Sequence, residues 1–147
     1  MRVLGLVVVL GFALSLSACG GDSNDTPGVD AAGKAAIQVF EDYLAGDYGK
    51  AWDALHPAYQ AIVARDTYIN CESGKSRPWT KVELISEHDE IWEAPEIGQQ
   101  HTRAVELRLV GDQDITPGTI HMVEVDGAWR WLLTQSVTDA FKQGQCG

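Results

Sequence analysis

The sequence is short of positive charge. It has 11 Lys and Arg against 21 Asp and Glu, a formal net charge of −10. Nucleic-acid binding rests on neutralising phosphates with Lys and Arg, so nucleic acid is excluded as a partner. For the same reason the folded surface is not expected to adhere to anionic lipid, and the acidity supports solubility. Cysteine is scarce, with Cys19, Cys71 and Cys146 alone, and neither CxxC nor HxxxH occurs. No metal-ligand spacing is therefore present. There is no glycine-rich phosphate loop, no GxSxG elbow and no internal repeat, so no cofactor is implied and the catalytic set is empty. The apolar run at residues 3–18 stops after sixteen positions, short of the roughly 20 that a spanning helix needs.

What that run does have is a positive start, Met1-Arg2, and small residues at its end, Ser17-Ala18. A charged start, a short apolar stretch and a small-residue cut site make a secretory signal. The end of the run, Leu16-Ser17-Ala18-Cys19, resembles the lipobox of bacterial lipoproteins: an aliphatic residue, two small residues, then cysteine. The resemblance covers residues 1–19. It implies that residues 1–18 are a removed signal peptide and that Cys19 carries a diacylglyceryl group. It also implies anchoring to the cell membrane on its extracytoplasmic face. Stable anchoring takes more than one acyl chain, which that group supplies. Removing Arg2 with the signal takes the net charge from −10 to −11.

Residues 20–30, GGDSNDTPGVD, hold no large apolar side chain except Val29. A segment of that composition cannot bury enough surface to offset its ordering entropy. With the lipidated cysteine it reads as a tether over residues 19–30. Lipidation of Cys19 would leave an even pair, Cys71 and Cys146, in a compartment that permits disulfides. A Cys71–Cys146 bond is expected, tying the C-terminal end to the domain.

Residues 31–147 are of single-domain size. Ala32, Ala35, Ala36, Val39, Phe40, Tyr43 and Leu44 recur at helical spacing, which predicts one amphipathic helix capped by Asp30 and ended by Gly46. A shorter helix follows Asp47, with Ala51, Trp52 and Leu55 on one side. Pro57 opens a third at its first turn, with Tyr59, Ile62 and Val63 buried, and residues 66–71 add a further turn. After the polar break at Gly74 and Pro78 the period changes. Trp79 to Trp92 reads as strand. Val105, Leu107 and Leu109 alternate with charge as in a half-buried strand. TIHMVEV-DG-AWRWLL is a hairpin turned by Asp126-Gly127. The predicted pairs run from Val125–Ala128 through Glu124–Trp129, Val123–Arg130 and Met122–Trp131 to Ile120–Leu133. Ile120, Met122, Trp129, Trp131 and Leu133 then face the helices, and His121 and Arg130 share a solvated face. Helices followed by an antiparallel sheet predict an α+β domain.

The stretch FEDYLAGDYGKAWDALHP and the hairpin VDGAWRWLL are similar to NTF2-like (cystatin-like) domains, and most like the small exported lipoproteins of that superfamily. The resemblance covers residues 31 to about 141. It implies a cone of helices on a curved antiparallel sheet with a pocket at the open end. Homodimerisation through the sheet is common there, though nothing in these strands decides it. Some members are isomerases or dehydratases and many others bind ligands or partners, so the fold does not settle the function.

An isomerase-type site needs a base and a phenol or acid donor in one pocket. His88 and Asp89 are adjacent in a strand and point to opposite faces. His56, before Pro57, reads as a helix-end residue, and Tyr43 and Tyr59 as core. The candidate pocket residues are Tyr43, Trp79, Trp92 and Trp131, because aromatics line ligand pockets. Three functions stay open. One is a non-catalytic anchored module for a small ligand or an envelope protein, favoured by tether, anchor and missing catalytic motif. The second is an isomerase or dehydratase, which a buried acid in an open pocket would support and a closed, filled cone would exclude. The third is an envelope accessory protein without a pocket, marked by an exposed apolar patch.

Overall fold

The computed structural model describes residues 29–111 and 118–147. The signal, the lipobox with Cys19 and most of the tether lie outside the described residues. Helix α1 spans Ala31–Ala45, α2 Tyr48–Asp53, α3 Pro57–Gln60 and α4 Arg65–Ser73. The strands follow as β1 Trp79–Ala94, β2 Gly98–Gly111, β3 Gly118–Val125 and β4 Ala128–Trp131, and α5 closes the chain at Gln135–Lys142. The strands form one antiparallel sheet in the order β1-β2-β3-β4. The protein is α+β, with an open four-stranded antiparallel sheet.

Local chemistry sets the boundaries. The Asp30 carboxylate accepts from the Ala32 and Gly33 amides at 2.9 and 3.0 Å, satisfying two of the free donors at a helix start. Gly46 ends α1 at φ 76°, a conformation that costs a side-chain-bearing residue more. At α2, Asp47 stands in the capping position without a side-chain cap and pairs with Lys50 at 2.5 Å instead. Pro57 opens α3, and the His56 imidazole Nδ1 accepts from the Ala58 amide at 3.1 Å. The predicted turn at residues 66–71 is a longer helix, α4.

Helix α1 crosses the sheet and touches all four strands. Ala32, Ala36 and Val39 bury with Val105, Leu107, Ile120 and Met122 in one core that also holds Leu55, Tyr59 and Tyr68. Leu44 departs from the predicted stripe and is 37% exposed, one residue before the end of the helix. The hairpin has the predicted register from Val125–Ala128 to Met122–Trp131, with Asp126 and Gly127 at φ 52° and 76°. Strand β4 stops at Trp131, so Leu133 does not pair with Ile120. The ladder closes with the Leu132 amide on the His121 carbonyl at 3.0 Å. Beyond β4, the His56 amide donates to the Trp131 carbonyl and the Trp131 amide to the Ala54 carbonyl. The α2–α3 connection thus covers that edge of the sheet, where free amides and carbonyls would otherwise face solvent.

Helix α5 was not anticipated. Thr134 precedes it in extended backbone, and Val137 and Phe141 lie four residues apart. It packs through Phe141 on Tyr68, ring centroids 5.9 Å apart. Cys71 of α4 and Cys146 are disulfide-bonded with Cα atoms 5.2 Å apart, within the range such a bond requires. The bond fixes the segment after α5 against α4.

Candidate functional site

Helices α1, α4 and α5 and the ends of β3 and β4 surround a cavity of about 220 Å³. Helix α1 contributes Phe40 and Tyr43, and α4 contributes Tyr68 and Glu72. Thr119, Ile120 and His121 come from the start of β3. Trp131 and the turn residues Leu132, Leu133 and Thr134 come from the end of the hairpin. Lys75, Val137 and Gly147 complete the wall. The position follows from the fold: α1 lies across the sheet, and the disulfide and Phe141 hold α4 and α5 together at one end.

The polar groups of this wall come in pairs. The Tyr43 and Tyr68 hydroxyls are hydrogen-bonded to each other. Burial, with the Glu72 charge near by, pushes both phenols far above the ordinary range, so both keep their protons. The Glu72 carboxylate, its side chain 7% exposed, is held by Lys75 at 2.9 Å and by Arg77. Buried carboxylates require such partners. The Arg77 guanidinium also lies over the Tyr43 ring, 4.7 Å from its centroid, and over the Tyr48 ring at 5.1 Å, which fixes the outer faces of those aromatics.

His121 is not on a bare solvated face. Its Nε2 lies 2.5 Å from Glu90 Oε1, and its ring stacks on Trp92 at 4.0 Å with an interplanar angle of 2°. Val123 and Leu132, which strand alternation places on the same face as His121, are buried too. The cause is non-local: Glu90 and Trp92 reach it from β1, with β2 between the two strands. Burial holds the imidazole below its ordinary 6.5, although the Glu90 charge pulls the other way.

Of the aromatics picked from the sequence, Tyr43 and Trp131 stand in the cavity wall. Trp79 is buried against Phe40, centroids 5.9 Å apart. Trp92 packs on the wall residue His121. Tyr68, Glu72, His121 and Val137 are wall residues that sequence reasoning did not bring to the pocket. His88 and Asp89 are both exposed, Asp89 on Arg103 at 3.2 Å.

A second concavity of about 690 Å³ lies over the outer strands, lined by Asp89, Ile91, His101, Arg103, Glu124 and Trp129 among others. Trp129, expected on the core face, is half-buried against the core and also lines this surface groove. The groove carries several charged side chains and has Ile91 64% exposed, whereas the smaller cavity has the more apolar wall. Among the described residues no cluster of His, Cys, Asp and Glu is arranged to hold a metal ion, and no helix is long and apolar enough to cross a membrane. No protein-family model, no curated protein and no solved structure matches this chain.

Proposed function

We propose that the chain is an exported bacterial lipoprotein, anchored through Cys19 at the extracytoplasmic face of the cell membrane, whose NTF2-like domain binds a small ligand without transforming it. The cavity carries the binding half of this reading. It is a half-open, largely apolar concavity bordered by a few convergent polar groups, the usual make-up of a ligand site. The Leu16–Cys19 sequence carries the anchoring half, and a Cys71–Cys146 disulfide fits an oxidising compartment. An α+β domain with helices across an antiparallel sheet and a pocket at one end is compatible with the NTF2-like cone.

Metabolic labelling with palmitate tests the anchor. The wild-type chain is expected to take up label and partition into detergent, and Cys19→Ala to do neither. A Cys19→Ala chain that still partitions into detergent after signal cleavage overturns the lipoprotein reading.

One observation favours a second reading, an isomerase or dehydratase. His121, oriented by Glu90, shares the cavity with the Tyr43 and Tyr68 phenols, a base and a donor in one site. The two readings separate on His121→Ala. Under the binding reading the variant keeps its ligand and no turnover is found in either protein. Under the second reading turnover is present and lost in the variant.

A further inference from the structure

We infer that the cavity takes a compact, uncharged ring compound carrying one hydrogen-bond acceptor, and that the Tyr43–Tyr68 pair receives that acceptor. The inference rests on the proposed ligand-binding reading and assigns its ligand class.

Proton counting comes first. Each phenol has one O–H. The bond between the two hydroxyls consumes one of the two protons, whichever residue donates. The other O–H has no acceptor among the described residues. An unmet donor in a buried site is costly, and both tyrosines stand in the cavity wall. The spare O–H therefore serves an acceptor atom brought into the cavity.

Charge comes second. Lys75 is already held by Glu72 and by the Gly147 oxygen, and Arg77 by Glu72, while burial disfavours charge on His121. A bound anion would meet the Glu72 carboxylate, and a bound cation would meet Lys75. Neither finds an unmatched partner, so desolvating an ionic ligand here goes uncompensated.

Size and surface come third. An apolar cavity of about 150 Å³ holds benzene. At about 220 Å³, this one accommodates a ring with a short substituent. Phe40, Trp131 and Leu133 supply flat and aliphatic wall for it.

Acetophenone and ethylbenzene test the assignment. They share a ring and a two-carbon substituent and differ in the carbonyl. Calorimetric titration uses the full mature chain, with a detergent blank. Acetophenone is expected to bind about tenfold more tightly than ethylbenzene. Tyr43→Phe/Tyr68→Phe should remove that preference, with a thermal melt followed by circular dichroism reporting that the variant is folded. Benzoate and benzylammonium should bind more weakly than acetophenone. Val137→Trp, which fills the cavity, should abolish binding of all four. Equal binding of acetophenone and ethylbenzene to the wild type overturns the acceptor assignment and leaves the cavity as a binding site. Benzoate binding as tight as acetophenone overturns the uncharged class. Absence of binding by any probe, or binding that Val137→Trp does not weaken, overturns both this inference and the ligand-binding reading.

Discussion

The indole Nε1 of Trp131 donates to the carbonyl oxygen of Ala51 at 2.8 Å, across 80 positions of sequence. One side chain thus joins the last strand to α2 while its ring forms cavity wall. Trp131→Phe keeps most of the ring and strands a buried acceptor. The expected loss is about 1–3 kcal/mol of folding stability, read by urea denaturation. A change under about 0.5 kcal/mol, the scale of a neutral surface substitution, would contradict the role given to this bond.

The disulfide makes a separate prediction. Cys71 follows Tyr68 by one helical turn, and Cys146 precedes the wall residue Gly147. Cys71→Ser/Cys146→Ser should cost about 2–4 kcal/mol. It should also weaken cavity binding more than it alters the secondary-structure spectrum, because only the segment after α5 is released. Unchanged stability in the double variant would show that the bond restrains nothing.

His56 predicts a pH dependence with a definite sign. Burial holds its imidazole below the ordinary 6.5, with the Arg130 charge adding to it. The neutral ring accepts the Ala58 amide at 3.1 Å, and protonation destroys that acceptor. The unfolded chain takes up the proton first as pH falls. The contribution is therefore complete above 6.5 and is lost as pH drops through 6.5 toward the lower folded value. His56→Asn keeps a capping oxygen that does not titrate. Between about pH 7.5 and about pH 5.5, the wild type should lose stability relative to this variant. Parallel profiles for the two proteins would contradict the assignment.

Two glycines give a matched pair. A Cβ on Gly111 would lie 2.1 Å from the Pro78 carbonyl oxygen, whereas one on Gly118 would meet nothing within 4 Å. Gly111→Ala should displace the start of β1 and cost about 1–3 kcal/mol, as overpacking does. Gly118→Ala should stay within about 0.5 kcal/mol. Equal effects would mean that β1 and β2 do not approach as closely as described.

What the sequence made legible is local. The α1 stripe, its Asp30 cap, the Pro57 start of α3 and the Asp126-Gly127 hairpin each follow from residues within a few positions of one another. The hairpin register followed from turn length alone. The α+β class came from the change of period at residue 79. The misses are non-local or short. His121 read as solvated because Glu90 and Trp92, which cover it, stand about thirty positions away with β2 between. Trp129 packs on the core as alternation assigns but also lines the outer groove, because alternation gives a face without saying how far it is covered. Helix α5 spans eight residues with a two-residue apolar contact, too little for periodicity to separate from loop. The Tyr43–Tyr68 pair joins α1 to α4, and no spacing rule links those helices.

The central claim is that an anchored domain holds a small molecule between α1, α4 and α5. Native mass spectrometry of the full chain, extracted from its own membrane in mild detergent, tests it most directly. The account predicts a mature chain that begins at Cys19 with its lipid and carries a non-covalent small-molecule mass, lost in Val137→Trp. A wild-type chain with no bound mass, or one whose bound mass survives Val137→Trp, would contradict it.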